Sequence, residues 1–151
     1  MSRALRVIVL SAAIALAGGC TTDAGGGPAD LDPPAADVVL RVIVAGEVAA
    51  DWTLDDLRES VPFATVDIDG DSQNGPRLLE VMAASGVEGW QTAEVIGMGE
   101  GRTFEVGLDI SPAEVDDGWI LDVTNRGTLK LAAEGLPRSQ WVRDVGEIRI
   151  P

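Results

Sequence analysis

The chain has 151 residues, with 25 acids, 11 bases and a formal charge of −14. Phosphate binding needs basic surface, so we expect no nucleic-acid partner. The absence of histidine and the single cysteine exclude a Ser-His-Asp triad, an imidazole metal ligand and a zinc site built on several thiolates. Since 46% of the residues are apolar, the chain can bury a globular core.

The first residues have the pattern of a secretory signal peptide. Arg3 and Arg6 supply positive charge, and the apolar run Val7–Ala17 leads through small residues to Cys20. This run is shorter than the roughly 20 residues that a membrane-spanning helix needs. The ending Leu-Ala-Gly-Gly-Cys resembles a bacterial lipobox, which implies cleavage before Cys20 and a diacylglycerol on its sulfur. An ordinary signal peptide followed by an unmodified cysteine is the alternative.

Lipidation at Cys20 predicts a protein held at the extracytoplasmic side of a membrane in the bacterial cell envelope. Acyl chains supply a membrane attachment that an acidic surface does not. The following segment is rich in Gly and Pro and has no aromatic residue, which is typical of a flexible tether. We therefore predict a signal peptide at residues 1–19, the lipidated cysteine and tether at residues 20–37, and a folded domain at residues 38–151.

Short runs of strand-like sequence alternate with glycine turns along the predicted domain. Strand patterns cover Val38–Val44, Pro62–Ile68, Thr92–Gly97, Arg102–Leu108, Trp119–Val123, Thr128–Ala132 and Glu147–Ile150. The glycines at 99 and 101 predict a hairpin turn, and residues 69–75 predict a polar loop.

Three short helices are predicted between these strands. They are Leu54–Glu59 with Thr53 as its N-cap, a helix that starts at Pro76 and ends at Gly86, and a short helix that starts at Ser111. The order of elements predicts an α+β domain, built on a mixed, barrel-like or sandwich sheet with short helices.

Four segments in chain order resemble the molybdopterin-binding domain of sulfite-oxidase-like proteins. They are Gly46-Glu-Val with the later Thr-Leu-Asp-Asp-Leu, Gly75-Pro-Arg-Leu-Leu with the later Gly-Val, Gly127-Thr-Leu-Lys-Leu, and Trp141-Val-Arg-Asp-Val-Gly-Glu-Ile. The resemblance implies the sulfite-oxidase-like fold. It also implies that related enzymes hold molybdopterin here for redox chemistry.

Three departures from that family bear on function. Its enzymes bind molybdenum through a cysteine inside the domain, whereas Cys20 precedes the tether. They hold the pterin phosphate with histidines and arginines, and this chain has no histidine. Thr128 and Lys130 replace the family's proline and arginine. We therefore expect a cofactor-free, non-enzymatic domain that binds a ligand or an envelope protein. The alternatives are a molybdopterin-dependent oxidoreductase, its redox accessory subunit, or a cation-binding envelope protein.

Three basic residues are the candidates for binding an anion. Lys130, Arg138 and Arg143 lie near the strands that face the cofactor phosphate in the family. Salt bridges with the numerous acids of this chain are the alternative role for these side chains.

Two further candidate sites come from local patterns. Asp67, Asp69 and Asp71 alternate like the start of a calcium loop, although the glycine and glutamate expected later in such a loop are missing. A solvated strand-to-helix loop is the alternative. Trp90 follows a helix exit and is a candidate to line a ligand groove, whereas Trp119 and Trp141 are expected in the core.

Overall fold

The computed structural model describes residues 31–99 and 106–151. Its elements are β1 (Val38–Val44), β2 (Glu47–Thr53), α1 (Leu54–Ser60), β3 (Phe63–Ile68), β4 (Asp71–Pro76), α2 (Leu78–Ala84), β5 (Ala93–Gly97), β6 (Val106–Ile110), β7 (Ile120–Val123), β8 (Leu129–Ala132), a 3₁₀ turn (Arg138–Gln140) and β9 (Arg143–Ile150). Mixed sheets with two short α-helices confirm the α+β class. No helix in the described ranges has the length and apolar character needed to cross a membrane.

Most strands join one mixed sheet. Its main order is β2-β1-β9-β5-β6, and the β7–β8 hairpin is attached through β8 to β9. β1 and β9 are parallel, while the other strand pairs in the described ranges are antiparallel. The antiparallel β5–β6 pair confirms the predicted strand pairing, although β6 is shifted toward the C-terminus, with Gly97 opposite Val106, and residues 100–105 of the predicted turn and strand lie outside the described residues. Strands β3 and β4 form a separate two-stranded sheet.

The predicted polar loop at residues 69–75 is wrong, because this segment forms a tight hairpin. Asp69 and Gly70 have φ angles of 53° and 83°, and β4 begins at the next residue. Two consecutive left-handed residues are what a two-residue hairpin turn requires, and Asp-Gly favours it. Ala45 and Gly46 make the same kind of turn between β1 and β2.

Local capping explains where the helices begin and end. The hydroxyl of Thr53 accepts from the backbone N–H of Asp56, and the Asp56 carboxylate accepts from the Thr53 N–H, which confirms the predicted N-cap. The second helix begins later than predicted, at Leu78, because Pro76 is still paired in β4. Gly86 follows it with a φ of 76°, as the predicted helix end requires.

The predicted helix at Ser111 is a single turn. The Glu114 carboxylate accepts from both the backbone N–H and the hydroxyl of Ser111, so only the glutamate half of the predicted cap forms, and the predicted helix is wrong. The chain then turns inward and buries Val115 and Trp119, which ends the helical path.

The main hydrophobic core lies between the large sheet and the two helices, and includes Leu40, Leu57, Met82, Leu131 and Ile148. A smaller cluster of Ile68, Ile120 and Ala132 lies beneath the β3–β4 hairpin. This hairpin packs directly on β7.

Gly75 permits the close contact between the β3–β4 hairpin and β7. A Cβ atom at this position would lie 1.9 Å from the carbonyl oxygen of Leu121. A second link joins the same strands, since the backbone N–H of Asn74 donates to the Asp122 carboxylate at 2.7 Å. The position of the hairpin relative to the large sheet therefore requires a residue without a side chain at position 75.

Candidate functional site

A cleft of about 560 Å³ opens between the β3–β4 hairpin, the β7–β8 hairpin and the start of β9. The described ranges contain eight basic residues, and four of them line this cleft: Arg126, Lys130, Arg138 and Arg143. Three carboxylates line it as well: Asp71, Asp122 and Asp144. We call it the mixed-charge cleft. Half of the described bases of a strongly acidic chain are therefore gathered at one place.

The three predicted anion-binding residues all line the mixed-charge cleft, but they differ in how they are paired. Lys130 Nζ lies 3.0 Å from Asp122 Oδ2. Arg138 Nη2 lies 2.7 Å from Asp71 Oδ2. Arg143 is exposed, and no residue in the described part of the chain forms an ion pair or hydrogen bond with its guanidinium. Its positive charge is therefore the one that remains available to a ligand.

Trp141 organises two of these cations. Lys130 Nζ and the Arg138 guanidinium carbon each lie 5.3 Å from the centre of its ring, a cation–π distance. Its indole N–H donates to the carbonyl of Leu136 at 3.0 Å, which fixes the ring. The prediction of a core tryptophan is confirmed for Trp119, which is 6% exposed, whereas Trp141 is half-buried and lines the cleft.

Gln73 contributes a buried acceptor to the same cleft. The residue is 4% exposed, and its Oε1 has no hydrogen-bond partner in the described structure. Its Nε2 lies 3.4 Å from the carbonyl oxygen of Asp71. Since a carbonyl only accepts, this contact orients the amide and leaves Oε1 as the unsatisfied atom. A buried acceptor without a partner is costly in a folded protein and calls for an explanation.

Asp144 adds a strained backbone to the cleft wall. Its φ is 52°, in the left-handed region that non-glycine residues rarely adopt. Three contacts hold it there: its carboxylate accepts from Arg126 at 2.6 Å and from the Thr128 hydroxyl at 2.9 Å, and its carbonyl accepts from the Met98 N–H at 2.7 Å. Asp144 is the extra residue of a β-bulge, since Leu129 pairs with Val145 and Lys130 with Arg143, and bulges are common beside functional sites.

The structure separates the three predicted calcium ligands. Asp67 lies on β3, Asp69 lies in the hairpin turn and Asp71 lies on β4. Arg138 contacts the latter two, at 3.6 Å from Asp69 and 2.7 Å from Asp71. In the ranges 31–99 and 106–151, no group of three acidic, cysteine or histidine side chains is placed to hold a metal ion. Trp90, the predicted groove residue, is half-buried against the main core and is not part of the cleft wall.

A second cavity, of about 610 Å³, lies at the opposite end of β9 and is lined by Arg41 and by residues 31–34. We call it the Arg41 cavity. Arg41 is 6% exposed and donates two hydrogen bonds to Asp51, at 2.7 and 2.8 Å, and one to the Asp32 carbonyl at 2.5 Å. The last residues of the predicted tether thus lie against the domain. The hydrogen bond from Arg41 lowers the pKa of the Asp51 carboxyl.

The mixed-charge cleft does not fit a molybdenum cofactor. Residues 21–151 contain no cysteine, so the domain offers no thiolate ligand. Three of the four bases that line the cleft are paired with its own carboxylates, so within the described ranges Arg143 alone is left unpaired to face the phosphate of a pterin. The charge pattern of the cleft suits a ligand that carries both donors and an anionic group.

No protein-family model matches the chain, and no curated protein matches it. The likeness to sulfite-oxidase-like domains therefore depends on the four ordered motifs in the sequence.

Proposed function

We propose that this chain is a bacterial lipoprotein, attached through Cys20 to the extracytoplasmic side of a membrane, whose sulfite-oxidase-like domain binds a small ligand without a cofactor. The mixed-charge cleft is the proposed binding site. The tether that follows Cys20, whose residues 31–34 lie against the domain, keeps the domain near the membrane, while the acidic surface of the domain holds it away from anionic lipids.

The observation that carries this proposal is the gathering of cations in one cleft of an acidic protein. Four of the eight described bases line it, and Arg143 has no partner among the described residues. Binding sites are typically concave and have a few convergent polar groups, which the cleft provides. Its hydroxyl-bearing lining residues, Ser72 and Thr124, have no histidine beside them to act as a base, which favours binding over nucleophilic catalysis.

Anchoring and cofactor content are tested together with the full chain, expressed in a bacterial host that makes molybdopterin. We expect the protein in the membrane fraction, with a diacylglycerol on its N-terminal cysteine by mass spectrometry. The Cys20→Ala variant should lose the lipid. Plasma mass spectrometry should find almost no molybdenum per chain. Near-stoichiometric molybdenum would overturn the proposal in favour of a redox enzyme with an unusual ligand set.

Ligand binding is tested by screening small anionic and zwitterionic compounds against the purified lipoprotein in detergent, with melting temperature as the readout. We expect at least one compound to raise the melting temperature of the unaltered chain, because a ligand stabilises the state that binds it. Arg143→Met should reduce this shift. Arg58→Met is the matched control, since Arg58 is an exposed base on α1, outside the cleft. A screen without any Arg143-dependent shift would contradict the proposed site.

A further inference from the structure

We infer that the mixed-charge cleft takes a zwitterionic amino carboxylate, such as a short peptide with free termini. This inference rests on the proposed function, because it names the ligand class of the same cleft. Most charged and polar groups of the cleft have an ion-pair or hydrogen-bond partner within the chain, and the groups without one indicate what the ligand carries.

The cations of the cleft are mostly neutralised by its own acids. Arg126 is paired with Asp144, Lys130 with Asp122, and Arg138 with Asp71. These three pairs leave Arg143 as the remaining charge. A guanidinium presents a planar fork of donors that matches a carboxylate in two parallel hydrogen bonds. One carboxylate therefore satisfies the unpaired cation of the cleft.

The other unsatisfied group is an acceptor. Gln73 Oε1 is buried without a partner, and only a group with N–H or O–H hydrogens can satisfy it. The Gln73 side chain lines the cleft and is held by a single hydrogen bond, from Nε2 at 3.4 Å. A rotation of its amide toward a ligand in the cleft therefore breaks only this one long hydrogen bond. The cleft can therefore bind a ligand that supplies one anionic group to Arg143 and one hydrogen-bond donor to Gln73 Oε1.

The surrounding carboxylates decide which kind of donor suits the cleft best. Each carboxylate of the cleft is paired with one base, yet Asp71 and Asp144 use a single carboxylate oxygen in these contacts, so the other oxygen of each can accept from an ammonium group but not from a second anionic group. An ammonium has three donors, enough to reach Gln73 Oε1 and a neighbouring carboxylate together. A ligand with one carboxylate and one ammonium is complementary to this pattern, while phosphate alone is not.

The experiment compares four probes on the lipidated full chain in detergent by titration calorimetry: trialanine, N-acetyl-trialanine, trialanine amide and inorganic phosphate. The two blocked peptides each remove one terminal charge from trialanine. We expect trialanine to bind at least about tenfold more tightly than either blocked peptide and than phosphate, since one lost charge-assisted contact is worth about that factor.

Variants assign the two ends of the ligand. Arg143→Met should weaken trialanine about tenfold and leave trialanine amide unchanged, because the amide has no carboxylate for Arg143 to bind. Gln73→Met should reduce the difference between trialanine and its N-acetyl form. Arg58→Met should bind all four probes as the unaltered chain does. If Arg143→Met fails to fold, Arg143→Lys keeps the charge without the fork and should give a smaller loss.

The outcomes separate this inference from the proposed function. Equal binding of trialanine and both blocked peptides, or tighter binding of phosphate, overturns the zwitterion while leaving a ligand-binding cleft. Failure of all four probes also overturns it, whatever the wider compound screen finds. The proposed binding site itself is contradicted by a compound screen that finds no Arg143-dependent ligand.

Discussion

Two arginine-lined cavities lie at opposite ends of β9, and they differ in how their arginines are satisfied. In the Arg41 cavity, the guanidinium is buried and donates to Asp51 and to the Asp32 carbonyl. In the mixed-charge cleft, Arg143 is exposed and has no partner among the described residues. An arginine whose donors are used within the chain holds the fold together, whereas one with free donors can recognise a ligand. Cavity size alone, 610 against 560 Å³, does not separate these roles.

The largest expected effect concerns the scaffold of the cleft. Gly75→Ala places a Cβ atom 1.9 Å from the Leu121 carbonyl oxygen. The neighbouring atoms are all strand backbone, which cannot move aside as the end of a flexible side chain can, so we expect a loss of more than about 3 kcal/mol in the free energy of unfolding. Urea unfolding measures it. Gly70→Ala is the control in the same hairpin: it meets no neighbouring atom but strains a left-handed residue, at a cost of about 1–2 kcal/mol. Equal losses in the two variants would show that the Gly75 contact is not critical.

A pair of matched substitutions tests the comparison of the two arginines directly. Arg41→Met leaves the Asp51 carboxylate and the Asp32 carbonyl without their donor, so the melting temperature should fall by roughly 5 °C or more, while cleft binding of any ligand survives. Arg143→Met should leave the melting temperature nearly unchanged and weaken ligand binding about tenfold. The assignment of the two arginines is contradicted if Arg143→Met lowers the melting temperature and Arg41→Met lowers ligand affinity instead.

The smallest expected effect is the pH dependence of the Arg41 cavity. Since the folded pKa of Asp51 lies below its unfolded value, the Asp51 pair contributes stability above the usual carboxyl pKa of about 3.9, and this contribution is lost as the pH falls through the folded pKa. Asp51→Asn should remove that part of the acid sensitivity. The difference between the two proteins in urea midpoint should therefore shrink from pH 7 toward pH 3. A difference that stays constant over this range would contradict the assigned role of the pair.

The sequence predicted well those elements whose local signals agree with their packing. The run of β-branched residues at Val38–Val44 is β1 without any shift in its ends, because these side chains suit a strand whose middle is buried. The Thr53 cap likewise depends on residues within one turn. Such features need no distant partner, so they can be inferred from neighbours in the chain.

Strands with polar faces were missed. β2 has no fully buried residue, and most of its side chains face outward, so it lacks the alternation that marks a strand. β4 is largely polar and was predicted as a loop, although the Asp69-Gly70 pair is a hairpin signal that could have revealed it. Each pairs with the strand just before it through a two-residue turn, so the turn residues, and not the composition of the strand, mark the hairpin.

The sequence by itself placed Lys130, Arg138 and Arg143 close together, since they lie within fourteen residues of one another, and it marked them as candidates for anion binding. Only the tertiary structure decided what else joins them. The β3–β4 hairpin brings Asp71 and the buried Gln73 to the same cleft, which Gly75 makes possible by its contact with β7. Ion pairing between distant residues then decides which cation stays free, because it depends on distances that the order of residues does not contain.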